Sequence, residues 1–246
     1  MRKTHQVLAL FIILFILVGL GACQGNQPPG ELQTENQAVQ LKGADNVDAE
    51  ITIGAGNLTV TGGANDLMDA TFKYNIPASK PEVSYEVNQA GNTNTGNLKV
   101  KQPAELNLDP NLTNYRYIWD LKFNNETPIG MEIKLGAGDA NMKLGELDLT
   151  GLNIAIGAGK ATINLSGDYQ RNLQAEIRGG VGNLTLILPE STGVQVKVDG
   201  VLGNVVAIGL KKSGDYFVND AYGSKENTLM VHVQGGAGEI NMQVGK

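Results

Sequence analysis

Ile51-Thr52-Ile53-Gly54-Ala55-Gly56 returns along the chain as Lys134-Leu135-Gly136-Ala137-Gly138 and Ala155-Ile156-Gly157-Ala158-Gly159. Looser copies follow at Gly179-Gly180-Val181-Gly182, Gly200-Val201-Leu202-Gly203 and Gly235-Gly236-Ala237-Gly238. A fixed repeat decides the fold before any single residue does. With the last glycine of each copy as origin, Gly56, Gly138, Gly159, Gly182, Gly203 and Gly238 align the flanks. Two and four residues on stand Leu58 and Val60, Ala140 and Met142, Ala161 and Ile163, Leu184 and Leu186, Val205 and Ala207, Ile240 and Met242. Five before stand Ile51, Ile133, Ile154, Ile177, Val198 and Val233. The residues between are mostly polar. Alternation with period two is the mark of a strand with one buried face.

Each unit therefore reads as a longer strand, a glycine corner and a shorter strand. The last five origins are spaced by 21, 23, 21 and 35 residues. A coil of that length cannot bury its apolar face alone but can when stacked on similar coils. The expected fold is all-β, a β-solenoid or β-helix-like stack of strand–Gly–strand repeats of about 21 residues. A degenerate copy is expected at Val83, Tyr85 and Val87 with Gly96 to Val100. The corner glycine is expected to supply a positive φ or a close backbone approach. The apolar, usually small residue before it is expected to form a stacked column.

The first residues form an address. Arg2 and Lys3 precede an apolar run, Val7 to Leu20, which ends in Leu20-Gly21-Ala22-Cys23. That order reads as a secretory signal, and the run is short of the roughly 20 residues of a membrane span. Leucine, two small residues and the chain's single cysteine resemble the lipobox of bacterial lipoproteins. The resemblance implies cleavage between Ala22 and Cys23, lipidation of the Cys23 thiol and acylation of its new amino group. The other reading is a free cysteine ending an uncleaved anchor helix. Either way the body is expected outside the cytoplasm, held at the cell membrane. Residues 1–22 are then signal, 23–48 a flexible acylated tether and 49–246 the repeat domain. Gln24 to Glu50 is rich in Gln, Asn and Glu, a composition that cannot bury a core.

Composition limits the partners. Of 19 basic residues, Arg2 and Lys3 leave with the signal, so 17 face 25 acidic ones. No basic tract survives to bind nucleic acid or anionic headgroups. No cofactor or metal site is expected. The two histidines are His5, in the signal, and His232, on a polar strand face; neither triad chemistry nor a zinc site can be assembled from them. The aspartate position of calcium-binding β-rolls is held by Leu184 and Ile240. Neither dinucleotide nor phosphate-loop spacing occurs, and no helical pattern follows the glycines. Carboxylate-only glycoside hydrolysis would need opposed acids in an aromatic-lined groove, with Trp119, Tyr115 and Tyr117 to line it.

The columns break in one place. Ile187, Val206 and Ile208 are apolar on the polar face, and an insertion, Lys211 to Thr228, stands beside them with Tyr216, Phe217 and Tyr222. The insertion is expected to cover these residues and to cap the stack. An exposed patch for a partner is the other reading.

From Trp119-Asp120-Leu121 through Pro128 to Gly138, and on to Gly157-Ala158-Gly159, the chain resembles the toast-rack family of bacterial envelope proteins. That family is related to LiaF-type C-terminal domains and to adhesin-type domains. The resemblance implies an all-β repeat over about residues 49–246 and no catalytic residues. The expected function is a membrane-anchored lipoprotein whose domain binds or scaffolds, adhesin-like, an envelope protein or polysaccharide. A regulatory partner of a membrane stress sensor is the alternative, and a polysaccharide-active enzyme the third.

Overall fold

The computed structural model describes residues 29–103 and 114–245. The expected signal, Ala22 and Cys23 lie outside the described residues. The chain runs through β1 (Gln33–Val39), β2 (Asn46–Ala55), β3 (Asn57–Gly62), β4 (Met68–Tyr74), β5 (Glu82–Ala90) and β6 (Thr93–Lys101). It continues through β7 (Tyr117–Phe123), β8 (Ile129–Ala137), β9 (Ala140–Lys143), β10 (Leu149–Asn164) and β11 (Leu173–Pro189). β12 (Gly193–Asp199), β13 (Val205–Ile208), β14 (Lys211–Ser213), β15 (Tyr216–Val218), β16 (Thr228–Gln234) and β17 (Ala237–Gly245) complete it. The fold is all-β, one 17-stranded sheet folded at the corners into two limbs.

The limb before the corner has the order β5–β6–β2–β8–β10–β11–β16–β12–β15–β14. The limb after it has the order β1–β4–β7–β3–β9–β10–β11–β17–β13. The repeat strands are parallel, as coils that return to the same start must be. Side chains of matching offset stack in columns. Val100, Ile51, Ile133, Ile154, Ile177, Val233 and Val198 line the first limb in unbroken register. Phe72, Trp119, Leu58, Ala140, Ala161, Leu184, Ile240 and Val205 line the second. The core is the space between the limbs, and return loops with buried Leu144, Leu147 and Leu165 close its third side. Each fully buried Ile or Leu contributes about 1.5–3 kcal/mol.

Three expectations are corrected. First, the stretch read as a flexible tether contains β1, paired antiparallel with β4, and the start of β2. Gly30 already donates its N–H to the Asn75 carbonyl at 2.7 Å, so the domain begins well before residue 49. β1 is an edge strand with one polar neighbour-free side, and its Gln and Glu residues gave no alternating apolar signal. Second, Val83 to Val87 and Gly96 to Val100 are not the two arms of one coil. β5 and β6 form an antiparallel hairpin at the first limb, and the degenerate coil is instead β6 with β7. Third, chain order is not stacking order. The β6–β7 coil lies ahead of β2–β3, and the last unit in the chain, β16–β17, is inserted between β11 and the β12–β13 unit, so the simple sequential solenoid fails at both ends.

Candidate interaction surface at the open end

The corner glycines stack in the order Gly56, Gly138, Gly159, Gly182, Gly238, Gly203, with φ between 132° and 158°. A Cβ on Gly138 would overlap the carbonyl of Gly56, and one on Gly159 the carbonyl of Gly138. Both reasons for glycine hold at once: a left-handed backbone and no room for a side chain. A second column was missed, although the first glycine of I-x-I-G-A-G signals it. Gly136, Gly157, Gly180 and Gly236 stack on one another from Gly54 with ordinary φ, and a Cβ on each would strike the carbonyl of the coil before it. The corner N–H groups are spent in this stack: Gly56 donates to Ala137 O and Gly138 to Ala158 O, each at 2.9 Å. No anion cradle is left over. Between the glycine columns Ala55, Ala137, Ala158, Val181, Ala237 and Leu202 form the expected column, and it faces outward as a narrow apolar ridge.

The limb ends differ. At the first-limb start β5 lies antiparallel on β6, and at the second-limb start β4 lies antiparallel on β7, itself covered by β1. At the far end β15 lies antiparallel on β12, with β14 outside it. β13 alone, at the end of the second limb, has a parallel neighbour on one side and no strand on the other among the described residues. Its residues are open to solvent: Val205 37%, Val206 40% and Ile208 61% exposed, with Leu202 of the ridge at 78% beside them.

The insertion therefore covers half of what was expected. Phe217 pairs with Val196 and packs inward against the core, capping the first limb. Tyr216 sits opposite Lys197, and Tyr222 accepts a hydrogen bond from Gln195 Nε2 at 2.9 Å. None of the three reaches Val206 or Ile208, because a hairpin this short can follow the backbone edge of only one limb. Ile187 is half-buried on β11, and Gln243 of β17 stands between it and Ile208. The predicted patch thus splits: Val206 and Ile208 stay together on the outer face of β13, Val205 of the inward row and Leu202 of the corner are exposed at the same end, and Ile187 is set apart.

Charge on the neighbouring limb is internally matched. His232 lies between Glu176 (3.1 Å) and Asp199 (2.8 Å), and Lys197 meets Asp199 at 2.9 Å. Lys197, and then His232, hold the Asp199 carboxyl below its ordinary value. A second concavity, a groove of about 460 Å³ floored by Gly130 and Gly151, carries Asp48, Glu50 and Glu132. Glu50 is paired with Lys101 at 3.0 Å and Glu132 with Lys134 at 2.7 Å. No aromatic side chain lines it, since Trp119 and Tyr117 are buried in the core. Trp119 and Tyr117 thus lie on the opposite side of the sheet from the groove's carboxylates.

Comparison with known proteins agrees with this architecture. A protein of solved structure from Clostridium sporogenes, described as a "putative cell adhesion protein", is 30% identical, covering 87% of this chain and all of its own, with a TM-score of 0.82. A "putative adhesin" from Bacteroides fragilis is 14% identical over 88% of this chain and all of its own, with a TM-score of 0.34. No curated protein matches the chain. The sequence model of the N-terminal domain of toast_rack matches residues 28–187, from ahead of β1 into the last residues of β11. The chain belongs to the toast-rack family.

Proposed function

We propose that this protein is a non-catalytic, adhesin-like binding module of the bacterial cell envelope, held at the membrane by lipid on Cys23 and docking through its open end. One observation carries the reading: among the described residues β13 is the limb end that no antiparallel strand covers, and it is there that Val205, Val206, Ile208 and Leu202 are exposed. Large apolar side chains exposed together at one end of a domain mark a candidate interaction site. The similar Clostridium sporogenes protein, described as a "putative cell adhesion protein", supports a binding role. The groove on the first limb has no aromatic side chain in its lining and holds Glu50 and Glu132 in pairs with Lys101 and Lys134, which gives a hydrolytic reading no support.

The test is capture of envelope protein or polysaccharide by full-length chain, wild type against Ile208→Lys. Loss of capture with an unchanged thermal unfolding curve supports the docking surface. Equal capture by both sinks it. Specific recovery of a sensor kinase would move the reading to stress regulation. Incorporation of a labelled lipid precursor into wild type but not Cys23→Ala tests the anchor, and an unlabelled wild type refutes it.

A further inference from the structure

We propose that the open edge of β13 pairs with β13 of a second copy, antiparallel across a two-fold axis, so that the second limbs of two molecules join into one continuous sheet. The inference rests on the open end being the docking face and names its occupant.

The occupant must be a strand. The Asn204 carbonyl accepts from Ile240 N–H at 2.9 Å, which turns Asn204 toward β17. Backbone groups of successive strand residues point to opposite sides, so Val206 and Ile208 also face β17, and Val205 and Ala207 turn N–H and C=O to the open side. These unpaired groups are a template for strand addition. Everywhere else the fold ends a limb with an antiparallel strand, as β5, β4 and β15 do.

The occupant fits a second copy by charge and by symmetry. The other outermost strands carry charges that discourage pairing: Glu35 on β1, Glu82 and Glu86 on β5, Lys211 and Lys212 on β14. From Gly203 to Leu210 there is none. A chain with net charge −6 repels its own copies, and this uncharged strand is where two can meet without facing like charges. A two-fold centred on Ala207 lets its free N–H and C=O bond to their own equivalents and sets Val206 of one strand opposite Ile208 of the other. Such an interface is self-complementary and closes at two copies.

The experiment is sedimentation of the full-length chain in excess detergent micelles, with Ala207→Pro and Ile208→Lys. Proline at 207 removes only the outward N–H, which an edge position tolerates; lysine at 208 places two charges against the paired strand. A dimer in wild type, with a dissociation constant raised at least tenfold in both variants and a melting temperature unchanged at concentrations below the wild-type dissociation constant, is the expected result. Should Ala207→Pro fail to fold, Ile208→Lys decides alone. A monomeric wild type, or a dimer that persists in the folded variants, overturns the proposal. A monomeric wild type that still captures envelope material, with capture lost in Ile208→Lys, removes the second copy as occupant and leaves the docking face standing.

Discussion

The two ends of the second limb are built from the same column and finished in opposite ways. At the closed end Phe72, Trp119, Leu121 and Phe123 are fully buried, with Phe72 edge-on to Trp119 at 5.3 Å between ring centres. Antiparallel β4 lies over them and β1 over β4. At the open end the column stops at Val205, and nothing among the described residues covers it. Large aromatic side chains fill the end that the chain seals itself. Branched aliphatic ones mark the end that it does not seal. A stacked β fold must terminate its core somewhere, and the choice between sealing and exposing is where binding can be placed.

The sharpest way to break this comparison is in the glycine column that runs between the ends. Gly138→Val, with coils on both sides, is expected to cost more than about 4 kcal/mol in denaturant unfolding or to prevent folding. Gly203→Val, in the last coil and free to shift outward, is expected to cost about 1–3 kcal/mol. Equal effects would deny that the outermost coil, β12–β13, can shift to make room. Next, Trp119→Ala should lose about 3–5 kcal/mol, against less than about 1 kcal/mol for Val205→Ala, measured in the same way. Ile208→Lys should change stability by no more than about 0.5 kcal/mol while abolishing capture. The smallest effect is in acid. Gln37, then Lys80, hold the Glu35 carboxyl on β1 below its ordinary value of 4.5. A lowered folded value means that its contribution is present above the ordinary carboxylate range and is lost as pH falls through the folded value. The stability gap between wild type and Glu35→Gln should therefore be widest near pH 7 and close below that value; a gap that widens in acid would contradict it.

The corners and the inward rows were legible because both are local: a glycine with no room for a Cβ, and a period of two on either side of it. β1 was not, since Gln33, Glu35 and Gln37 are read as a solvated tether until β4 supplies their hydrogen-bond partners. Val206 and Ile208 were legible as a break in the pattern. Their exposure at the same end as Val205 and Leu202, and their separation from Ile187, depended on which coil stacked on which. The outward direction of the Ala55-to-Leu202 column was equally hidden, because small apolar residues at a corner fit either side of it.

By itself, the sequence determined an all-β repeat with glycine corners, an acidic domain without the residues for triad or zinc chemistry, and the place where the repeat is irregular. Only the tertiary structure decided that β16–β17 enters between β11 and β12–β13, that β15 seals one limb, and that β13 is left open. The physical reason is that the inward rows of Ile, Val and Leu are nearly interchangeable, so any coil could stack on any other. The order is set by non-local strand pairing and loop reach, and no single coil records it.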